Sequence, residues 1–240
     1  MRAYAAPVPR ALVLHHDSNS LAGLLPDLLD DAGLAVDERY VTPFGEPADP
    51  GDFGRVGDDL AGIDAIVVLG SGWSVYDPAV AHWVEPELEF LRAADLAGVP
   101  CLGICFGHQL LAAAHGGIVA RTPHPEIGWH TVGPAPDAPF DDGPWFQWHL
   151  DHATLPPGAT LLGATDGGTQ GMRLRRNLSV QFHPELDVAT LAAWLETDRH
   201  WLAERDIDAD ALLAETERRV PDTVERTRAL LAHFLDEVAT

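Results

Sequence analysis

A cysteine lies between two glycines in the segment GICFG, where Cys105 is two residues from both Gly103 and Gly107. The segment joins an apolar run typical of a buried strand to an apolar-periodic stretch typical of a helix. A sharp strand-to-helix turn holds its central residue in a crowded backbone conformation, and glycine on either side relieves the crowding. We therefore predict that Cys105 is a nucleophile whose thiol projects from such a turn.

The start of the predicted helix supplies an electrostatic reason for a nucleophile at this point. Backbone N–H groups at a helix N-terminus stabilise negative charge, which favours a thiolate over a thiol. The same geometry directs the amide of Phe106 towards an oxyanion that forms when the sulfur attacks a carbonyl carbon.

A base and an acid occur together in the segment QFHPE, which supplies His183 and Glu185. Residues two apart in an extended segment project to the same side, and Pro184 favours an extended conformation for His183. Glu185 can therefore reach the imidazole, fix its tautomer and stabilise its charged form. Together with Cys105 this is the nucleophile, base and orienting acid of a catalytic triad.

A third segment, VVLGSGWSVYD over residues 67–77, places a glycine-containing turn directly after a buried strand. Such a turn is suited to presenting a backbone N–H group to a developing oxyanion.

The segments GICFGHQ, QFHPE and LGSGWSVYD, in this order and spacing, resemble the class I (triad) glutamine amidotransferase family over roughly residues 10–195. EIGWHTV, FQWHLDH and a helical tail make the chain most similar to stand-alone members that resemble the glutaminase domain of GMP synthase. The resemblance implies a flavodoxin-like fold for residues 1–195. We expect residues 196–240 to form a C-terminal helical extension of the same domain.

The resemblance also implies roles at the oxyanion. The amides of Phe106 and Ser71 would form the oxyanion hole, because Ser71 lies where the family usually has the second glycine of Gly-Gly-Pro. Gly72 departs from the pattern, since the family commonly has proline there and glycine loosens the turn.

For the substrate, the resemblance implies that Gly70, Gln109 and Asp151 contact bound glutamine. Cys105 would attack the side-chain amide to give a γ-glutamyl thioester and ammonia, and water would then release glutamate. No cofactor and no metal is implied.

The elements that must position these residues alternate between strands and helices, which predicts a mostly parallel sheet with helices on both faces. The predicted strands cover 11–15, 36–41, 64–70, 99–104, 159–165, 171–175 and 178–182. The predicted helices cover 21–32, 80–97, 108–117, 187–203, 208–219 and 222–238, with Pro221 between the last two. Residues 122–158 are rich in Pro, Gly, Trp and His and predict loops with short strands.

Composition excludes several functions for the 240-residue chain. All fifteen basic residues are arginine, so a P-loop and Schiff-base chemistry, which need lysine, are excluded. The formal net charge of −22 argues against a nucleic acid partner. No apolar run approaches the length of a membrane span, so we expect a cytoplasmic protein without a membrane partner.

Four features remain open to two interpretations each. Cys101 is read as a buried structural thiol, because four strand residues separate it too widely from Cys105 for a disulfide. His149 and His152 have a metal-ligand spacing but no third ligand, which favours ordinary loop histidines. His15 and His16 lie at the end of the first predicted strand and are either loop residues or part of a site. The helical tail either covers the sheet or forms a surface for a partner.

Three functions are compatible with these features. The first is an amidotransferase that hydrolyses glutamine and passes ammonia to a separate synthetase or acceptor enzyme. The second is a γ-glutamyl hydrolase or peptidase, which would use the same thioester chemistry on γ-glutamyl conjugates. The third is a non-catalytic binding protein, supported only by the loosened turn at Ser71 and Gly72.

Overall fold

An eight-stranded sheet forms the centre of the protein in a computed structural model that describes residues 8–19, 21–41 and 60–238. Its strands are β1 (Arg10–His15), β2 (Ala35–Tyr40), β3 (Ala65–Val68), β4 (Cys101–Ile104), β6 (Gly133–Pro134), β8 (Thr160–Thr165), β9 (Gly168–Leu174) and β10 (Asn177–Val180). Two further strands, β5 (Val119–His130) and β7 (Trp145–Ala153), pair separately. The helices are α1 (Leu25–Asp31), α2 (Ala81–Ala97), α3 (Phe106–Ala114), α4 (Val188–Ala203) and α5 (Ala209–Val238).

The strand order is β2-β1-β3-β4-β10-β9-β8-β6. The first five strands are parallel, and β9, β8 and β6 continue the sheet in antiparallel pairs. The order 2-1-3-4 followed by another parallel strand is that of flavodoxin-like sheets, in which the carboxyl ends of the strands border the ligand site.

Both faces of the parallel strands are covered by helices, as the apolar runs predict. In β1, Ala11 and Val13 belong to the core shared with α1 and α5, whereas Leu12 and Leu14 belong to the core shared with α2 and α3. This alternation follows from the two-residue period of a strand. The mostly parallel sheet, the helices on both faces and the helical C-terminal segment are thus confirmed.

The expectation of loops with short strands over residues 122–158 is wrong about the length of the strands, because β5 and β7 pair as a long antiparallel ribbon. Alternate residues of β7 are buried, but Gln147, His149 and Asp151 are among them. Their polar side chains are buried with hydrogen-bond partners. A search for apolar alternation therefore misses the strand.

The expectation of two helices separated by Pro221 is also wrong, because α5 runs through this residue as one helix. A proline inside a helix costs about 3 kcal/mol through a lost hydrogen bond and a clash. The buried face continues at helical spacing on both sides, with Thr216 before the proline and Thr223 and Thr227 after it. Burial of this face offsets the cost of the proline.

The division expected at residue 195 falls within α4, and nothing separates the two parts there. α4 packs on α5, and α5 contacts α1 beside the sheet. We propose on this basis that residues 196–240 extend the same domain. In the described ranges, no helix is long and apolar enough to cross a membrane.

Candidate active site

A cleft of about 360 Å³ opens at the carboxyl ends of the parallel strands. Residues that follow β1, β3, β4 and β10 meet there, together with residues of β7 and α4. The lining residues are Asp17, Ser18, Asn19, Leu21, Gly70, Ser71, Gly72, Cys105, Trp148, His183, Glu185, Trp194, Thr197 and Asp198.

Cys105 occupies the turn between β4 and α3, as predicted. Its φ of 53° and ψ of −103° lie in a region that residues with a side chain rarely adopt. The strain is held by the surrounding structure, since the Cys105 N–H donates to the carbonyl of Val180 at 2.9 Å and its own carbonyl accepts from Gln109 at 3.1 Å. The strained turn leaves the thiol in the cleft at the first turn of α3.

The two glycines that flank Cys105 permit close packing of backbone on backbone. A Cβ atom at Gly107 would overlap the carbonyl of Val68 on β3, and one at Gly103 would overlap the carbonyl of Gly107. The crowding that glycine relieves is therefore between the turn and its neighbouring strand, and not only around the cysteine itself.

His183 and Glu185 lie beside the thiol and are almost fully buried, with 3% and 1% of their surface exposed. Nδ1 of the His183 ring and Oε1 of Glu185 are 2.7 Å apart. The backbone N–H of His183 donates to the backbone carbonyl of Phe146 at 2.8 Å. Because Glu185 occupies Nδ1, Nε2 is the ring nitrogen available to Cys105.

The charge state of His183 is set by its neighbours. Burial lowers the pKa of the imidazole, but the negative charges of Glu185 and Cys105 outweigh burial and raise the pKa to about 10. The neighbouring negative charge therefore favours the imidazolium, the form that can donate a proton.

The turn after β3 is held by a carboxylate, that of Asp17, which lies outside the sequence motifs described above. Oδ2 of Asp17 accepts hydrogen bonds from the hydroxyl of Ser71 and from the N–H of Gly72, both at 3.1 Å. Oδ1 accepts the N–H of Asn19 at 3.0 Å. Gly72 can make its bond only because it is not proline, which has no N–H.

Two indoles, those of Trp148 and Trp194, contribute to the lining of the cleft. The ring of Trp194 lies 5.0 Å from that of His183 and 5.5 Å from that of Trp148, edge-on to both. Its Nε1 donates to the carbonyl of Asn19 at 2.8 Å, which ties α4 to the loop after β1. The carbonyl of Trp148 is 4.0 Å from the sulfur of Cys105.

The structure places two of the three predicted substrate contacts outside the cleft lining. Gln109 is buried and donates to the side chain of Gln181 and to the carbonyl of Asp151. The carboxylate of Asp151 accepts hydrogen bonds from Ser74 and Tyr76. Gly70 does line the cleft, where a Cβ atom would lie 3.2 Å from Cε1 of His183.

The histidine pair of β7 has no metal-binding arrangement in the described ranges, where no group of three or more candidate ligands occurs. Nε2 of His149 instead lies 3.1 Å from Glu126, which also accepts from Thr165 and Gln170. Burial raises the pKa of Glu126, but the bonds from His149 and Thr165 outweigh it and lower the pKa.

The remaining candidates have structural partners. Cys101 is a buried free thiol whose pKa is raised by burial. His15 pairs with Glu38 at 2.8 Å. His16 is fully buried, 3.0 Å from Glu87 on α2, and Nδ1 lies 3.3 Å from the carbonyl of Gly70.

Comparison with known proteins points to one family. The sequence model of "Glutamine amidotransferase class-I" matches residues 52–196. The chain is 38% identical over 131 residues to a glutamine-hydrolyzing GMP synthase of Parafrankia sp. (strain EAN1pec), covering 51% of this chain but only 23% of that protein. It is 28% identical over 190 residues to a gamma-glutamyl-L-1-hydroxyisopropylamide hydrolase of Pseudomonas sp, covering 68% of this chain and 60% of that protein.

Among solved structures, a glutamine amidotransferase from Thermotoga maritima superposes with a TM-score of 0.83 at 25% sequence identity. The superposition covers 98% of this chain and all of that one. The likeness therefore includes α4 and α5 as well as the sheet.

Proposed function

We propose that this chain, which belongs to the class-I glutamine amidotransferase family, cleaves the γ-amide bond of glutamine or of a γ-glutamyl amide through a thioester on Cys105. The single observation that carries the proposal is the arrangement of Cys105, His183 and Glu185 around one cleft, with the cysteine on a strained strand-to-helix turn. This arrangement supplies a nucleophile, a proton donor and acceptor, and a group that orients it.

In the first half-reaction, the sulfur of Cys105 bonds to the amide carbon and the carbonyl electrons move to the oxygen. The N–H groups of Ser71 and Phe106 are the proposed donors to this oxyanion. As the carbonyl re-forms, the carbon–nitrogen bond breaks and the His183 imidazolium gives its proton to the departing nitrogen. Ammonia or an amine leaves, and the γ-glutamyl group remains on the sulfur.

In the second half-reaction, a water oxygen bonds to the thioester carbon while His183 takes a proton from that water. The carbon–sulfur bond then breaks, which returns the sulfur as a thiolate and releases glutamate. Glu185 keeps Nε2 of His183 directed at the reacting atoms in both steps and balances the imidazolium charge.

We assign Gly70, Gln109 and Asp151 to the γ-glutamyl part of the substrate. Gly70 leaves space next to His183, and the side chain of Gln109, in the first turns of the helix that begins after Cys105, donates to the carbonyl of Asp151. A substrate that reaches Asp151 would have to share it with Ser74 and Tyr76.

The activities of two similar proteins support two different fates for the ammonia or amine that is released. A glutamine-hydrolyzing synthase supports transfer of ammonia to a separate acceptor enzyme, and a γ-glutamyl amide hydrolase supports release of an amine into solvent. We favour glutamine hydrolysis with a separate acceptor as the first candidate. The cytoplasmic location and the absence of a nucleic acid partner stay predictions.

The test is release of glutamate by the purified protein from glutamine and from γ-glutamyl amides, with Cys105→Ala as control. Slow release from glutamine alone supports a missing acceptor enzyme, whereas fast release from an amide supports the hydrolase. A thiol that fails to react with a glutamine-like electrophile would support the non-catalytic alternative.

A further inference from the structure

The cleft beside Cys105 has an acidic and aromatic lining. Three carboxylates, Asp17, Glu185 and Asp198, contribute to it, as do the indoles of Trp148 and Trp194. Within the described chain, the lining includes no arginine, and its only basic side chain is the catalytic candidate His183. A ligand with negative charge would find no cation to pair with.

Asp198 is the carboxylate of this lining with the fewest hydrogen-bond and ion-pair partners. Thr197 and Asp198 follow Trp194 on α4 by three and four residues, the spacings that place side chains next to one another on a helix, and all three residues line the cleft. Asp198 has no hydrogen-bond or ion-pair partner among the described residues, and burial alone raises its pKa. The neighbouring Arg199 pairs instead with Asp210 at 2.7 Å.

A second acceptor in the cleft also lacks a donor. Oε2 of Glu185 is buried and has no hydrogen-bond partner, while Oε1 is bonded to His183. Buried acceptors in folded proteins almost always have a partner from protein, water or ligand. Of these two carboxylates, Asp198 is the one that a ligand bearing N–H groups can reach in the cleft, because Oε2 of Glu185 is shielded from solvent.

We infer that the cleft holds the leaving group of a γ-glutamyl amide and prefers an amine that bears a second, positively charged amino group. Asp198 is the specificity-determining residue, because its carboxylate lines the cleft and would pair with that charge. The inference rests on the proposed function in its second form, the release of an amine from a γ-glutamyl amide, and names the class of amide that the site would cleave.

Charge and ring chemistry both favour this class. A cation gains from a partly desolvated carboxylate and from the face of an indole, whereas a leaving group that ends in a carboxylate is repelled by Asp17 and Asp198. The γ-glutamyl amino acids and peptides, which release an amine with a carboxylate, are therefore disfavoured. This separates amide hydrolysis from peptide hydrolysis.

The test compares three γ-glutamyl amides of similar size, with butyl, 3-aminopropyl and 2-carboxyethyl groups on the nitrogen. We expect kcat/KM of the wild-type protein to be about tenfold higher for the cationic amide than for the neutral one, and about tenfold lower for the anionic one. Equal kcat/KM values for the three amides would overturn the inference while leaving the proposed function standing.

Asp198→Asn removes the negative charge without changing the shape of the side chain. The matched control, Glu196→Gln, removes a negative charge from the same helix at a residue outside the cleft lining. We expect Asp198→Asn to reduce the preference for the cationic over the neutral amide to about twofold, and Glu196→Gln to preserve it. An equal loss of kcat/KM for all three amides in Asp198→Asn would place the residue against the shared γ-glutamyl group and overturn the inference. Glutamate release from neither glutamine nor any amide would overturn the proposed function as well.

Discussion

The carboxylate of Asp17 accepts the backbone N–H of Gly72 at 3.1 Å, and with the same oxygen it accepts the hydroxyl of Ser71. These bonds fix the turn whose Ser71 amide is the proposed oxyanion donor. A proline at position 72 would restrict the backbone by its ring, whereas glycine leaves it free. Asp17 therefore supplies through hydrogen bonds the rigidity that the glycine lacks.

Asp17→Ala is expected to lower kcat by about tenfold with a smaller effect on KM, because a misplaced oxyanion donor weakens the transition state more than the bound substrate. In a Gly72→Pro background, Asp17→Ala should lower kcat by a smaller factor, since the proline ring then restrains the turn. Kinetics of both single variants and the double variant measure this coupling. An equal effect of Asp17→Ala in both backgrounds would show that the carboxylate does not act through the turn.

Glu185→Gln is expected to lower the pKa of His183 from about 10, because the carboxylate charge that opposes burial is lost. The wild-type imidazolium should persist through neutral pH and lose its proton only as the pH rises towards about 10. NMR titration of labelled histidines, with the signal assigned by its absence in His183→Asn, measures both values. We also expect kcat to fall by about a hundredfold or more in Glu185→Gln. An unchanged titration would contradict the assigned electrostatics.

Gly107→Ala is expected to lower the free energy of unfolding by about 3 kcal/mol or more, because the new Cβ atom would overlap the backbone of Val68. Gly72→Ala is the matched control for stability, since a Cβ atom there has nothing within 4 Å. Urea denaturation measures both. Similar stabilities for the two variants would mean that α3 and β3 are not packed as tightly as described.

The buried carboxylate of Glu126 makes stability depend on pH. Its pKa is lowered in the folded protein, so its stabilising contribution is present above the unfolded value of 4.5 and is lost as the pH falls below it. Glu126→Gln should lower the free energy of unfolding by about 1–3 kcal/mol at neutral pH, through mismatched hydrogen bonds to Thr165 and Gln170. On acidification, this variant should lose less stability than the wild-type protein. Thermal unfolding at pH 7 and pH 4 measures this, with the exposed Glu196→Gln as control. The same acid dependence in all three proteins would assign the effect to other groups.

The sequence predicted the parts of the fold and site that depend on local pattern. Buried parallel strands appear as short apolar runs, and the glycines beside Cys105 and the proline after His183 signal backbone geometry over a few residues. Strand β7 could not be recognised in this way, because three of its buried residues, Gln147, His149 and Asp151, are polar. Their side chains are satisfied by hydrogen bonds with residues that are distant in the sequence.

The walls of the cleft were not predicted either. Trp194 and Asp198 lie on α4, for which the sequence predicted a helix over 187–203 but no part in the site, and Asp17 follows the first strand. Their proximity to Cys105 depends on how α4 packs against the loop after β1. The periodicity of α4 predicts a buried face but not which loop it meets.

A γ-glutamyl thioester on Cys105 should form during turnover of glutamine, and mass spectrometry of the acid-quenched protein can detect it. We expect a mass increase of one γ-glutamyl group on the peptide that contains Cys105, and neither adduct nor glutamate release in Cys105→Ala. Glutamate release that persists undiminished in Cys105→Ala, with no adduct on the wild-type peptide, would contradict it.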